Sequence, residues 1–166
     1  MQLYIMRHGQ ASPIANSDAE RQLTKQGHFE AEIMGKWLKN MQVNLDHLLV
    51  SPYVRAQQTA AMVKATLNWS GPSTNCDFIT PSGNAAQVHD YLDGMLAQSQ
   101  GKSSTDKGIE TLLVVSHMPL VSYLVEDLTF DRKSPIFQTA GIAQINYDLG
   151  RMKGELVRLV SPHDLC

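Results

Sequence analysis

The sequence predicts a three-layer α/β fold, in which a mostly parallel central sheet carries helices on both faces. Short apolar runs typical of strands alternate with longer stretches in which apolar residues recur every three or four positions. The run Thr111–Ser116 is apolar on both faces, as expected of a central parallel strand. The length of 166 residues suits one folding unit, so we expect a single domain over residues 1–166.

The first half of the chain is predicted to hold two strand–helix units. Met1–Met6 reads as a strand and is followed by a polar loop over residues 11–22. Thr24 is then a plausible N-cap of an amphipathic helix. Its apolar face is predicted to contain Phe29, Ile33 and Trp37, with Met34, Leu38 and Met41 alongside. A short buried strand at His47–Val50 leads into Ser51-Pro52, which we expect to start a second helix with Ser51 as its N-cap.

The second half repeats this alternation and closes with a hairpin. The predicted elements are a loop over 68–75, a weak strand over 76–79, a helix around Val88–Leu96, a linker-like segment over 98–108, the strand Thr111–Ser116, a helix opened by Pro119, and two closing strands at 142–147 and 155–160. We expect the closing strands to pair at one edge of the sheet.

Composition excludes several classes of protein. The chain is 43% hydrophobic and 18% charged with a net charge of −2, so no basic excess indicates nucleic-acid binding. No apolar stretch is long enough to span a membrane, and no signal peptide precedes the first strand, so we expect a cytoplasmic protein. The two cysteines show no disulfide or zinc spacing, and the histidines outside the motifs show no ligand spacing, which predicts neither metal nor organic cofactor.

Chemistry-bearing residues follow three of the predicted parallel strands. Arg7-His8-Gly9 follows the first, Ser51 through Arg55 follows the second, and Ser116-His117 ends the fourth. Because the carboxyl ends of parallel strands lie at one edge, two arginines and two histidines could converge there. Guanidinium groups bind the oxygens of a phosphoryl group bidentately, and an imidazole can attack phosphorus. The sequence therefore predicts a phosphoryl-transfer site.

These motifs resemble those of the histidine phosphatase superfamily, also called phosphoglycerate-mutase-like. The resemblance rests on Arg7-His8-Gly9, on Leu23-Thr24-x-x-Gly27, on the nine-residue run from Ser51 to Thr59 and on Ser116-His117, which stand in the family's order. It implies that His8 is the residue phosphorylated during turnover. It also implies that Arg7, Arg55 and His117 form the phosphate pocket.

Three further residues are predicted to contact the substrate. Gly9 would let the chain turn sharply and approach a ligand closely, and Ser51 lies at the start of the second motif. Arg21 either adds a phosphate or partner contact, or forms an ion pair with Asp18 or Glu20; the sequence leaves these alternatives open.

The short chain and the pattern Asp18-x-x-Arg21-x-Leu23-Thr24 look most like the bacterial phosphohistidine phosphatases of this family. The resemblance implies a partner, the phosphorylated histidine-phosphotransfer domain of a sensor kinase or another phosphohistidine protein. Sugar-phosphate members carry a mid-chain carboxylate that protonates the leaving alkoxide, and residues 77–83 lack the matching Glu. A phosphorylated imidazole needs that acid less, since imidazole can leave as a neutral base.

Two alternatives remain open at this point. A small-molecule phosphomonoesterase of the same family would need an acid that the sequence does not offer. A non-catalytic phosphohistidine-binding module on the same fold would have no use for the intact His8.

Overall fold

The computed structural model describes residues 1–100 and 107–165. Within them, six strands and four α-helices follow one another along the chain. A short 3₁₀ turn at Asp18–Glu20 lies between the first strand and the first helix, and another at Pro162–Leu165 follows the last strand. The elements are β1 (Gln2–Arg7), α1 (Lys25–Asn40), β2 (His47–Val50), α2 (Val54–Leu67), β3 (Ser73–Asn75), α3 (Ala85–Ser99), β4 (Thr111–Ser116), α4 (Leu120–Leu128), β5 (Ile142–Asp148) and β6 (Lys153–Val160).

The strands form one sheet in the order β3-β2-β4-β1-β5-β6. The pairs β3–β2, β2–β4 and β4–β1 are parallel, whereas β5 lies antiparallel to both β1 and β6. The central position of β4 and the edge hairpin of β5 and β6 are confirmed. In this order the carboxyl ends of β2, β4 and β1 lie side by side, which places the three predicted motifs next to one another.

Alternating side chains of the central strands belong to two separate hydrophobic cores, one on each face of the sheet. Leu3, Ile5, Leu112 and Val114 face one side of the sheet, where buried residues of α3 and α4 pack against them. Tyr4, Met6, Leu113 and Val115 face the other side, against α1 and α2. A central strand covered on both faces has to be apolar throughout, as β1 and β4 are. The predicted three-layer α/β fold is confirmed.

Two expectations about the helices need correction. Thr24 does cap α1, since its hydroxyl accepts the Gly27 N–H, but the N-cap of α2 is Tyr53 rather than Ser51. Of the apolar residues predicted for α1, Phe29 is 53% exposed. Met34 and Leu38 are buried as expected, and the same side of the helix also carries the small residues Gly27, Ala31 and Gly35. Small residues on this side let the helix approach α2 closely, which the spacing of the large apolar residues did not indicate.

The strand predicted over 76–79 is wrong, and the loop predicted over 68–75 is correct only as far as residue 72. The third strand is Ser73–Asn75, which pairs with β2 from Leu48 to Val50. Cys76 and Ile79 are buried in the turn that follows. Burial rather than strand pairing explains why they are apolar. Of the linker-like segment over 98–108, the first two residues belong to α3, and residues 101–106 lie outside the described part of the chain.

A polar cluster far along the chain joins α3 and α4 to β5. The His89 Nδ1 lies 2.7 Å from Asp127 Oδ2, and its Nε2 lies 2.9 Å from the Tyr147 hydroxyl. That hydroxyl donates to Asp93, and burial together with Asp93 raises the Tyr147 pKa. Each buried polar group in this cluster has a partner, so the cluster ties the helical layer to the sheet.

The loop after β1 and the first turn of α1 pass each other at backbone contact distance. A Cβ added at Gly9 would lie 2.5 Å from the Gly27 carbonyl oxygen, and one added at Gly27 would lie 2.0 Å from the Gln10 carbonyl oxygen. The Gly9 φ is not in the left-handed region. Gly9 is therefore required for this close packing of two backbone segments, and not for the sharp turn that the sequence suggested.

We expect Gly27→Ala to destabilise the protein because its methyl group has no space, at a cost of about 1–3 kcal/mol for an overpacked site. Gly94, within α3, is a matched control, since a Cβ there meets nothing within 4 Å. Gly94→Ala should stabilise the helix by roughly 0.5–1 kcal/mol. Urea unfolding of both variants measures the difference, and a Gly27→Ala variant as stable as the wild type would refute the proposed close approach.

Candidate active site

His8 sits directly after β1 with only 8% of its surface exposed. Its Nδ1 lies 2.7 Å from the Gly9 carbonyl oxygen, an atom that can only accept, so Nδ1 carries the proton and donates. The opposite nitrogen, Nε2, accepts the Arg55 Nε–H at 3.2 Å. Two fixed partners thus define the neutral tautomer with its free electron pair on Nε2, which is the form that can attack phosphorus.

The surroundings keep His8 neutral. Burial, with smaller contributions from Arg55 and Arg7 and against the opposing effect of the Gly9 carbonyl, lowers its pKa to about 4. A histidine exposed to water has a pKa near 6.5, at which much of the ring would be protonated at mildly acidic pH. In this site the nucleophilic nitrogen therefore stays unprotonated across the whole neutral range.

Arg55 occupies the first turn of α2, where helix geometry brings it beside His8. It is 3% exposed. Its Nη1 donates to the Asp18 carbonyl oxygen at 2.6 Å and its Nη2 to the Asp18 carboxylate at 3.1 Å. Three of its nitrogens are thus held by protein groups, which fixes the plane of the guanidinium.

Asp18 bridges Arg21 and Arg55. The sequence suggested an ion pair of Asp18 with Arg21 but not with Arg55. One carboxylate oxygen pairs with Arg21 at 3.1 Å, and the other pairs with Arg55. Partial desolvation raises the Asp18 pKa, but the hydrogen bonds from Arg21 and Arg55 outweigh it and lower the pKa below its ordinary value. Asp18 is therefore an anion that offsets part of the positive charge around His8.

The ion pair left open for Arg21 is present, and the Arg21 Nε also donates to the Ser12 carbonyl oxygen at 2.9 Å. Contact of Arg21 with the substrate stays a prediction.

His117 follows β4, and its ring centroid lies 5.1 Å from that of His8. Its Nε2 lies 2.7 Å from the Ser51 hydroxyl oxygen, which also accepts the Tyr53 N–H at 3.3 Å. Burial, then His8 and Arg55, lowers the His117 pKa to about 3. Because Ser51 is fully buried behind His117, the structure gives it the geometry of a positioning group, and its predicted direct contact with substrate stays untested.

Arg7 completes the cluster from the end of β1. Its Nη1 donates to the Phe137 carbonyl oxygen at 2.8 Å. Among the described residues, Arg7 Nε and His117 Nδ1 are the buried side-chain polar atoms without a hydrogen-bond partner. Both belong to residues that adjoin or pack beside His8. Unsatisfied buried donors at one place are uncommon in folded proteins and suit a site that binds an anion.

The remaining residues of the motif after β2 hold these groups together. Thr59, one turn after Arg55, accepts the Gly9 N–H at 3.0 Å and donates to the Arg55 carbonyl oxygen at 2.8 Å. Gln58 accepts the Leu23 N–H at 2.7 Å. The motif thus ties α2 to the loop that carries His8. Since the Gly9 N–H is engaged by Thr59, direct contact between Gly9 and substrate stays a prediction.

Tyr53 was not predicted as a site residue, yet its ring packs against two of them. Its centroid lies 5.1 Å from that of His117 and 5.2 Å from the Arg55 Cζ. The sequence signal was its place between Ser51-Pro52 and Arg55. The pair of Asp18 with Arg21 was one of the alternatives that the sequence offered, whereas its pair with Arg55, 37 residues away, gave no signal.

Within residues 1–100 and 107–165, no group of three His, Cys, Asp or Glu side chains is arranged to hold a metal ion. In the same part of the chain, no helix is both long and apolar enough to cross a membrane.

Comparison with known proteins agrees with this geometry. The profile of the Histidine phosphatase superfamily (branch 1) matches residues 3–77. The Phosphohistidine phosphatase SixA of Escherichia coli (strain K12) is 38% identical over 148 residues, which cover 89% of this chain and 86% of that protein. This chain belongs to the histidine phosphatase superfamily. The predicted family and the predicted likeness to the bacterial phosphohistidine phosphatases are confirmed.

Two further members of this superfamily extend the comparison. The Phosphohistidine phosphatase SixA homolog of Haemophilus influenzae is 38% identical, over 98% of this chain and 97% of that protein. A solved structure of the protein histidine phosphatase SixA complexed with tungstate superposes with a TM-score of 0.91 at 36% identity, and each chain is covered completely. Tungstate is a tetrahedral oxyanion like phosphate. SixA therefore binds an anion of the type for which the cationic cluster around His8 is suited.

The low pKa of His8 makes a testable contribution to stability. Its folded-state pKa of about 4 lies below the value of about 6.5 in an unfolded chain. The contribution is therefore complete above pH 6.5 and is lost as pH falls toward 4, because the unfolded state takes up a proton that the folded state does not. Between pH 7 and pH 5 this loss amounts to about 2 kcal/mol.

We therefore expect the free energy of unfolding to fall by about 2 kcal/mol more in the wild type than in His8→Gln between these two pH values. His163 is exposed and serves as the control. The His163→Gln variant should retain the pH dependence of the wild type. Equal slopes for the wild type and His8→Gln in urea titrations at both pH values would contradict a neutral, buried His8.

Proposed function

We propose that this protein is a phosphohistidine phosphatase that removes the phosphoryl group from a histidine side chain of another protein through a phosphorylated His8. The observation that carries the proposal is the buried, neutral His8 whose Nε2 electron pair faces the Arg55 guanidinium. The similarity to SixA over nearly the whole chain supports the same class of hydrolase.

In the first step the His8 Nε2 attacks phosphorus and a new P–N bond forms. The P–N bond of the substrate breaks, and its electron pair returns to the leaving imidazole, which departs neutral when its other ring nitrogen carries a proton. In the second step water attacks phosphorus, the bond to Nε2 breaks and its electron pair returns to His8, and both water protons remain on the phosphate, which leaves as dihydrogen phosphate. His8 keeps its Nδ1 proton on the Gly9 carbonyl throughout.

Arg7, Arg55 and His117 would hold the phosphoryl oxygens during both steps. Guanidinium groups keep their charge at every relevant pH and give charge-assisted hydrogen bonds to phosphoryl oxygens. His117 serves without being protonated: the Ser51 hydroxyl can donate to Nε2, which leaves Nδ1–H as a donor. This neutral role agrees with the low pKa of His117.

The choice of a phosphohistidine substrate depends on the absence of a proton donor for an alkoxide. No carboxylate of the described residues hydrogen-bonds to His8, and Asp18, which lies behind Arg55, is held as an anion by two arginines. Asp77, in the segment where relatives acting on sugar phosphates carry their acid, is exposed. An alkoxide is the base of a very weak acid and leaves readily only when it is protonated, whereas imidazolium has a pKa of about 6.5 and imidazole can leave as a neutral base.

As part of this proposal, the substrate is a phosphorylated histidine-phosphotransfer domain of a sensor kinase, and the protein acts in two-component signalling in the cytoplasm. Such a domain presents its phosphohistidine on a helical surface, which a recessed nucleophile can reach if the imidazole projects into the site. The family likeness of the motifs supports this partner, and no cofactor is required by the steps above.

We expect kcat/KM for a phosphorylated histidine-phosphotransfer domain to exceed that for phosphoglycerate or glycerol 3-phosphate by at least a hundredfold, because the two esters have alkoxide leaving groups that need an acid and the imidazole does not. His8→Ala should abolish hydrolysis of all three, with circular dichroism unchanged. Release of inorganic phosphate measures the rates. Comparable rates on the phosphate esters would instead identify a small-molecule phosphomonoesterase, and a retained rate in His8→Ala would refute the covalent mechanism.

A further inference from the structure

Two isoleucines stand out from the other apolar side chains at the surface. Ile14 is 87% exposed and Ile136 is 77% exposed, whereas the other large apolar residues at the described surface range from 38% to 55%. Neither isoleucine belongs to a helix or strand. Scattered apolar residues are normal at a protein surface, but side chains this fully presented are informative when they share a location.

Both isoleucines lie in segments whose backbone accepts a hydrogen bond from an arginine near His8. The Ser12 carbonyl, two residues before Ile14, accepts the Arg21 Nε–H, and the Ile14 N–H donates to the Ser12 hydroxyl at 3.1 Å. The Phe137 carbonyl, next to Ile136, accepts the Arg7 Nη1–H. Phe137 itself is buried. Each isoleucine is therefore presented by a segment that is hydrogen-bonded to an arginine, Ile14 through Arg21 and Ile136 through Arg7.

The loop of Ile14 is closed at its base, which makes it a defined surface. Ala11 and Leu23 form an isolated antiparallel bridge, and the Ser12 N–H donates to the Gln22 carbonyl at 2.8 Å. Between this loop and the start of α2 runs a groove of about 780 Å³, whose apolar lining is Ile14, Ala15, Leu23 and Val54. Val54 immediately precedes Arg55 in the sequence, so the lining of the groove adjoins a residue of the site around His8.

The groove also carries one negative group. Glu20 lines it and is exposed, and it takes part in none of the salt bridges among the described residues. By contrast, the carboxylate of Asp18, two residues earlier, is bound by two arginines. A surface that fits this groove would carry apolar side chains and one cation opposite Glu20.

We propose that Ile14 and Ile136 form an apolar docking rim for the protein that carries the phosphohistidine, with the groove beside Ile14 receiving an apolar and basic face of that protein. The inference rests on the proposed function and specifies how its substrate is selected. A small phosphorylated molecule would be enclosed by the pocket around His8 and would leave the rim exposed. A protein surface that delivers an imidazole to His8 has to cover the surroundings of the pocket, and so it would bury both isoleucines.

The test compares two substrates that share the reacting group. One is a histidine-phosphotransfer domain phosphorylated on its histidine, and the other is N-phosphoryl imidazole, which has the same P–N bond but no surface. The variant is Ile14→Ser combined with Ile136→Ser. Val157→Ser, on the edge strand β6 and 46% exposed, is the matched control for losing an exposed apolar side chain.

We expect the double variant to lose at least tenfold in kcat/KM for the phosphorylated domain, mainly through KM, and to keep the wild-type rate on N-phosphoryl imidazole. Val157→Ser should match the wild type on both substrates. Equal losses on the two substrates, or no loss on the domain, would overturn the docking rim. So would sedimentation showing a wild-type dimer that the double variant abolishes, because the occupant would then be a second copy of this chain.

The proposed function fails separately from this inference. If wild-type enzyme hydrolyses neither the phosphorylated domain nor N-phosphoryl imidazole, the proposed phosphohistidine phosphatase is wrong and the rim loses its basis. If the wild type hydrolyses both and the double variant behaves identically, only the docking rim is wrong.

Discussion

A buried arginine lies against the nitrogen that attacks phosphorus in the proposed mechanism. The Arg55 Nε donates to the His8 Nε2 at 3.2 Å, and both residues are almost withdrawn from water. This contact adds to the effect of burial in keeping His8 neutral, helps to fix its tautomer and places a permanent cation where the phosphoryl group would arrive. An incoming phosphoryl group would replace the His8 nitrogen as the acceptor of this N–H, so that binding frees the electron pair for attack.

The rest of the site can be understood as support for this contact. Asp18 holds the far side of the guanidinium and offsets its charge, which limits the cost of burying it. Thr59 links the helix of Arg55 to the loop of His8. The close passage of Gly9 and Gly27 then brings that loop against α1. The fold supplies the frame, since β1, β2 and β4 are neighbours and their carboxyl ends meet at one edge.

Much of this arrangement could be predicted from the sequence, for physical reasons that apply to particular elements. β1 and β4 are apolar at every interior position because both of their faces are covered, so they and the residues after them were readily located. His8, Arg55 and His117 follow such strands. Topology therefore suggested that these residues could converge, and the family resemblance implied their roles.

What the sequence did not indicate depends on contacts between distant residues. The Asp18 bridge, the packing of Tyr53 on His117 and the positioning of His117 by Ser51 each require the folded loops. β3 was misplaced because its residues Ser73–Asn75 are polar and it lies at the sheet edge, whereas the buried turn after it is apolar. On α1, the exposure of Phe29 was not predicted, because small residues contribute to the buried side of that helix and the spacing of the large apolar residues does not show this.

The central claim is that the His8 Nε2 carries the phosphoryl group during turnover. Its most direct test is ³¹P–¹⁵N NMR on protein labelled with ¹⁵N-histidine, denatured in alkali after rapid mixing with a phosphorylated histidine-phosphotransfer domain. We predict a single phosphorylated histidine at position 8 with phosphorus bonded to Nε2, and no such signal from His8→Ala. Phosphorus bonded to Nδ1, or to any histidine other than His8, would contradict the account.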